Sequence, residues 1–188
     1  AGGDDNATIS ATGSLTGTLK GGDGTDDLLL NTSDNVINID QTGTGNLISN
    51  FDDNNYGNVS RQTDFDGFEI IRLDDGSDIA NLTFDASTEK TTKQPLRIVG
   101  GNGFDSINLT LNSNEHQYLI TTNQLDNLKA YLESPSGKDV TFNFLQTSLS
   151  LEGFEGGSLN NVIGDGSHSI TGTVKYWHED KLVKDANV

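Results

Sequence analysis

Two nine-residue stretches constrain this chain more than anything else in it: Gly21-Gly22-Asp23-Gly24-Thr25-Asp26-Asp27-Leu28-Leu29 and Gly100-Gly101-Asn102-Gly103-Phe104-Asp105-Ser106-Ile107-Asn108. Both fit G-G-x-G-x-D-x-U-x at every fixed position, with Leu28 and Ile107 as the apolar U residue. Glycines reach backbone angles closed to other residues, so a stretch like this turns tightly and can aim several carbonyls at one point. Asp26 or Asp105 adds a carboxylate to that point, and the apolar residue two positions on starts a short strand whose side chain faces inward. A single Gly/Asp-rich turn reads equally well as a surface loop that holds nothing. Two complete copies are harder to dismiss.

These stretches resemble the calcium-binding nonapeptide of secreted RTX (hemolysin-type) proteins. The resemblance implies a parallel β-solenoid or β-roll organised by calcium. Asp26 and Asp105 would be its principal ligands, helped by Asp23, Asn102 and the carbonyls of Gly22, Gly24, Gly101 and Gly103. In that family many nonapeptides run in tandem and successive turns share each ion, whereas here the copies stand far apart, so each turn must find its remaining ligands elsewhere. Weaker echoes occur at residues 2–9 and 163–170, where Ala7 and His168 stand in place of the sixth-position aspartate. Calcium ligation is not carried onto either.

The chain also repeats itself loosely, over residues 21–85 and 100–160. Each unit opens with a nonapeptide and ends near Gly-Phe-Glu, as Gly67-Phe68-Glu69 and Gly153-Phe154-Glu155, preceded by Phe65-Asp66 and Leu151-Glu152. This order resembles modules of bacterial S-layer proteins and large RTX adhesins. Independently of function, Phe68 and Phe154 read as core anchors at equivalent corners.

Charge narrows the class further. With 28 acidic and 11 basic residues the net charge is −17, and the regions 1–50, 51–85 and 86–188 carry −6, −7 and −4. That sign argues against a nucleic-acid partner, since phosphates need the opposite one. Dense like charge opposes compaction unless something neutralises it. Divalent cations would do so and would make folding conditional on metal. The competing reading is a surface kept soluble by its charge. The chain has no cysteine, which removes disulfides and thiolate metal sites. It contains no apolar run long enough to span a bilayer.

Strand signals dominate. Short apolar or alternating runs at 8–10, 15–19, 27–30, 36–39, 69–73, 79–84, 96–99, 106–111, 118–121, 140–144, 148–151 and 169–176 are separated by Gly, Asn and Asp. The pattern predicts an all-β, solenoid-like module over residues 1–166. One helix is expected over 122–132, with Thr122 as its N-cap, Leu125, Leu128 and Leu132 on one face, and Pro135 just beyond. Residues 167–188 read as a terminal hairpin or as the opening strands of an immunoglobulin-like module cut short.

Nothing points to catalysis. His116, His168 and His178 are scattered, no H-E-x-x-H occurs, and neither a G-x-S-x-G elbow nor a phosphate-binding loop is present. Asp52-Asp53-Asn54-Asn55-Tyr56-Gly57, Asp64-Phe65-Asp66-Gly67 and Asp74-Asp75-Gly76-Ser77-Asp78 read as solvated acidic turns, and the Asn-x-Ser/Thr triplets at Asn6, Asn31, Asn58, Asn81 and Asn108 as chance products of Asn- and Thr-rich loops. The expectation is a non-enzymatic, extracellular module of a bacterial surface protein that binds calcium and self-associates or contacts a cell-surface glycan. The alternative is a carbohydrate-binding or polysaccharide-processing domain of a secreted RTX protein. For that role Tyr56, Tyr118, Tyr131, Tyr176 and Trp177 are the candidate sugar platforms.

Overall fold

Leu28 and Leu30 are buried while Asp27, Leu29 and Asn31 around them are not, and the same alternation recurs in Asn35–Asp40, Leu96–Val99 and Ser148–Glu152. Period-two burial of this kind selects strands with one face on a core. The computed structural model describes residues 2–10, 17–31, 34–53, 57–85, 95–135 and 139–163. In chain order its strands are β1 (Asn6–Ser10), β2 (Thr18–Lys20), β3 (Asp27–Asn31), β4 (Asn35–Asp40), β5 (Gly45–Asp53), β6 (Gly57–Asp66), β7 (Ile70–Arg72), β8 (Asp75–Gly76) and β9 (Ile79–Thr83). There follow β10 (Leu96–Val99), β11 (Asn102–Gly103), β12 (Ser106–Asn112), α1 (Ser113–Thr121), α2 (Leu125–Glu133), β13 (Val140–Asn143), β14 (Ser148–Glu152) and β15 (Gly156–Ile163).

Two sheets face one core. The first runs β1-β3-β7-β10-β14-β13 and the second β15-β12-β9-β4-β5-β6-β2, with β8 and β11 pairing between them. The chain steps from the first sheet to the second five times: β1 to β2, β3 to β4, β7 to β9, β10 to β12, and β14 to β15. Strands reached by the last four steps pair in parallel, so like stacks on like. Leu28, Ile71, Ile98 and Leu151 form one file across the first sheet, and Ile39, Leu82, Leu109 and Leu159 form one across the second. Burial of each such side chain contributes about 1.5–3 kcal/mol, which carries most of the cohesion of a small β core.

The outward face has a file of its own. Asn81 Nδ2 donates to Asn38 Oδ1, Asn108 Nδ2 donates to Asn81 Oδ1, both at 3.0 Å, and Ser158 Oγ donates to Asn108 Oδ1 at 2.7 Å. The triplets at Asn81 and Asn108 thus belong to a hydrogen-bonded ladder of stacked strands.

Three features depart from the sequence expectation. The sheets are mixed: β5 pairs antiparallel with both β4 and β6, and β13 antiparallel with β14. Alternation fixes which face a residue occupies, not strand direction, so this hairpin was invisible in the pattern. There are two short helices, not one, and residues 118–121, read as a strand, lie in α1. Asn112 caps α1 by accepting the backbone N–H of Glu115, while Thr122, expected to open a helix, closes α1 as its C-cap. The second helix does bury Leu125, Leu128 and Leu132. It rests on β15 where Gly157 makes room, since a β-carbon there would sit 2.8 Å from Leu132 Cδ2. Among the described residues no helix is long and apolar enough to cross a membrane. The expectations for residues 167–188 lie outside the described residues.

Candidate metal-binding turns

The two nonapeptides open strands of different sheets, Asp26 preceding β3 and Asp105 preceding β12, so they occupy opposite edges where the chain crosses between sheets. The structure therefore does not bring Asp26 and Asp105 together. Instead each joins a row of acidic and amide residues stacked strand over strand. Register places Asp5, Asp26 and Glu69 in one row and Asn35, Asp78, Asp105 and Glu155 in the other.

Each row is held by one repeated contact, in which a carboxylate accepts the backbone N–H of the residue one step earlier. Asp5 N donates to Asp26 Oδ1 at 2.8 Å and Asp26 N to Glu69 Oε2 at 3.0 Å. On the opposite edge Asn35 N donates to Asp78 Oδ1 at 2.5 Å, Asp78 N to Asp105 Oδ1 at 2.9 Å, and Asp105 N to Glu155 Oε2 at 2.8 Å. Hydrogen bonds to charged groups contribute about 1.5–3 kcal/mol each, so these rows fasten the stack whatever else they do. Glu69 and Glu155 belong to the two Gly-Phe-Glu signatures, and the glycines before them share one conformation, with φ of 74° at Gly67 and 71° at Gly153. Phe68 and Phe154 are buried, as corner anchors would be.

The turn backbone follows from glycine. Gly24 and Gly103 take φ of 139° and 141°, and Gly22 and Gly101 take 114° and 113°. Gly21 and Gly100 serve another purpose. A β-carbon on Gly100 would lie 2.3 Å from the Gly153 carbonyl oxygen and 2.8 Å from Asp105 Oδ2, and one on Gly21 would lie 2.2 Å from Gly67 O and 2.7 Å from Asp26 Oδ2. In both turns a carboxylate oxygen and a carbonyl oxygen converge on a spot that only glycine leaves open.

Those Oδ2 atoms are the anomaly. Asp26, Asp78 and Asp105 are 0%, 1% and 0% exposed, and Oδ2 of each has no hydrogen-bond partner. A buried, half-satisfied carboxylate is costly unless it is protonated or meets a cation. Burial pushes Asp78 up to about 6, and Asp105 is likewise raised, chiefly by burial. The other proposed ligands sit further out. Asp23 and Asn102 are exposed, with Asp23 O accepting Gly3 N at 2.6 Å and Asn102 Nδ2 donating to Asp75 Oδ1 at 2.8 Å. Among the described residues no three His, Cys, Asp or Glu side chains gather as a metal cluster. Any ion here would lean on backbone carbonyls.

Two rows contain members the nonapeptide pattern missed. Asp5, not Ala7, shares the register of Asp26. Asp78, in a turn read as solvated, is as buried as Asp105. The shared signal is shorter than nine residues. It is Gly-x-Asp, found as Gly3-Asp4-Asp5, Gly24-Thr25-Asp26, Gly76-Ser77-Asp78 and Gly103-Phe104-Asp105, whose glycines all have φ between 125° and 144°.

Among the described aromatic residues, Tyr118 is half-buried on α1 and Phe104, in the second glycine turn, is 60% exposed. Tyr131 packs edge-on against Phe142 with its hydroxyl buried and pushed up to about 12 by burial. Tyr56, Tyr176 and Trp177 lie outside the described residues, as do His168 and His178. His116 sits half-buried on α1. Compared with known proteins, the chain matches no family model, no curated protein and no solved structure.

Proposed function

We propose that this chain is a calcium-binding structural module of a secreted bacterial cell-surface protein, of the S-layer or adhesin kind, related to RTX proteins and built as a β-roll interrupted by a hairpin and two helices. The observation that carries the reading is the pair of glycine turns in which buried Asp26 and Asp105 keep Oδ2 without a partner beside a converging carbonyl. Calcium takes six to eight oxygen ligands, including carboxylates and backbone carbonyls, which is the donor set these turns offer. A net charge of −17 adds a second reason, because bound divalent ions relieve the self-repulsion of the folded state.

In this account the folded chain is less stable where calcium is scarce, and its strands stack more firmly where calcium is plentiful. The role is mechanical, with no catalytic residues, and self-association through further stacking is its natural extension. The test compares the melting temperature of the whole chain with the Asp26→Ala, Asp105→Ala double variant, each in EDTA and in millimolar calcium. Both carboxylates also accept backbone N–H groups, so the variant melts lower in either condition. The decisive quantity is the calcium-induced increment. It should be large in the parent and nearly absent in the variant; an equal increment in both would sink the assignment.

A further inference from the structure

We infer that the outward face of the second sheet, from β15 across to β5, is a binding surface for a neutral polysaccharide chain, with a file of amide side chains as its polar half and the exposed ring of Phe104 as its stacking platform. This goes beyond the calcium reading and draws on none of its ligands.

The polar half is one continuous ladder. Asn38 Nδ2 donates to Asn46 Oδ1 at 3.0 Å, which extends the file of Asn38, Asn81, Asn108 and Ser158 onto β5. Every bond in it points the same way, from β15 towards β5. A primary amide has two N–H groups and an oxygen with two lone pairs. Asn38, Asn81 and Asn108 each engage one N–H and one lone pair within the ladder. Each therefore keeps one donor and one acceptor for a ligand, repeated about every 4.8 Å from strand to strand. Two residues further along, the paired Thr83 and Thr110 add a hydroxyl on each of the two central strands.

The apolar half runs beside this ladder, two residues nearer the glycine turns. Ile48, Val36, Ile79, Ser106 and Gly156 share one level across the strands. A β-carbon on Gly156 would lie 3.6 Å from Phe104 Cζ, so the ring of Phe104 covers the place where a side chain would stand and carries the apolar file onto β15. Phe104 and Ile79 are two of the four large apolar side chains exposed among the described residues, and both belong to this face. The turn itself does not call for an aromatic. At the equivalent position of the other Gly-x-Asp turns stand Asp4, Thr25 and Ser77.

Charge selects the occupant. In a chain of net charge −17, neither file carries a charged side chain from β15 to β5, and acids stand only at the margins, Asp64 opposite Asn46 and Asp40 opposite Thr83. That field repels an anionic polymer, and an added peptide strand is held by a sheet edge, not by a face. A sugar hydroxyl is donor and acceptor in one atom, which suits an amide that offers one of each. The C–H faces of a pyranose suit an aromatic ring beside it. A neutral polysaccharide repeats both features along its length, as the two files do.

The test is affinity electrophoresis of the whole chain in millimolar calcium, in gels containing hydroxyethylcellulose, mannan or dextran, with alginate as the anionic control. The variants are Phe104→Ala, Asn81→Ala and Thr141→Ala, the last an exposed side chain on β13 of the other sheet. The expectation is retention by at least one neutral gel and none by alginate. Phe104→Ala should weaken it about tenfold, Asn81→Ala should weaken it as well, and Thr141→Ala should leave it unchanged. Retention that Phe104→Ala leaves intact, or that is equally strong in alginate, would overturn the inference. No retention by any neutral gel would also overturn it, and calcium binding by the same chain would then leave the calcium reading standing. A dimer of the parent that Phe104→Ala dissociates, without retention by any gel, would give the face to a second copy instead. Should Asn81→Ala not fold, the side-chain amide spectra of the parent decide: the NH2 signals of Asn38, Asn81 and Asn108 must shift together on addition of a hexasaccharide of the retained polymer, and unmoved signals refute the site.

Discussion

Stripped of divalent ions, the folded chain should lose stability as pH rises from about 4 to about 6, and Asp78 should be a principal cause. Burial raises this carboxyl from an ordinary value of 3.8 to about 6, and the neighbouring charges of Asp105 and Asp34 push it the same way, against opposing hydrogen bonds from Asn35. Asp74 and Asp75 in its own turn add further negative charge nearby. Between the two values the folded chain holds a proton that the unfolded chain has already released. Stability is therefore fully present below pH 4 and declines until the folded group ionises near pH 6. At about 1.4 kcal/mol per pH unit the full shift corresponds to about 3 kcal/mol, and about 1 kcal/mol is the lower bound if water enters through the exposed neighbours Asp75 and Ser77. For a chain of this size that is a fall of roughly 3–10 °C in melting temperature. The assay is thermal denaturation followed by circular dichroism in EDTA, at constant ionic strength, from pH 4 to pH 7. General repulsion among surface carboxylates adds a slope of the same sign, so the comparison with Asp78→Asn isolates the buried group. The variant should show a visibly shallower decline. An identical decline in parent and variant, or a parent whose stability rises across this window, would refute the argument. Millimolar calcium should abolish or reverse the parent's slope, since the ion replaces the proton.

Two further perturbations probe the scaffold. Gly103→Ala forces a β-carbon onto the Gly76 carbonyl at a φ of 141°, and should cost about 3 kcal/mol or more, read as a lowered denaturation midpoint even in saturating calcium. Asn81→Ala removes the middle of the outer amide ladder, which both donates to Asn38 and accepts from Asn108, and should cost about 1–2 kcal/mol with calcium affinity unchanged.

Much of the site was legible because glycine conformation is a local matter. The nonapeptides are turns with the positive φ values their glycines predict, and the aspartates at their sixth positions are the buried ones. What escaped was the partnership between turns distant in sequence. Asp78 lies 27 residues before Asp105, and only strand register brings them to one level. Demanding all nine positions concealed it, since Leu73 and Asp74 replace the first two glycines while Gly76 and Asp78 are kept. The echo at residues 2–9 was set out of phase for a similar reason: aligned on its leading glycines it offers Ala7, aligned on Gly-x-Asp it offers Asp5.

The fold was legible to the same degree. Leu125, Leu128 and Leu132 announced a buried helix face correctly. Helix α1 was hidden because Tyr118–Thr121 taken alone reads as a strand, yet Asn112 followed three residues later by Glu115 is a capping signal, and Asn112 does cap that helix. Glu115 is wholly buried and receives the N–H groups of Leu145 and Gln146 at 2.7 and 3.1 Å, a contact no local pattern could announce. The Asn-x-Thr triplets at 81 and 108 gained meaning only from stacking, because residues two apart share a strand face and parallel register lines up identical ones.

The central claim, that calcium organises these turns, is tested most directly by titrating the EDTA-stripped chain with calcium while recording heat, circular dichroism and light scattering together. The account predicts saturable binding of at least one ion with a gain in β signal, and growth in particle size if stacking continues between chains. Absence of binding heat up to several millimolar calcium, with an unchanged β signal, would mean that the carboxylate rows fasten the strands through their amide hydrogen bonds alone.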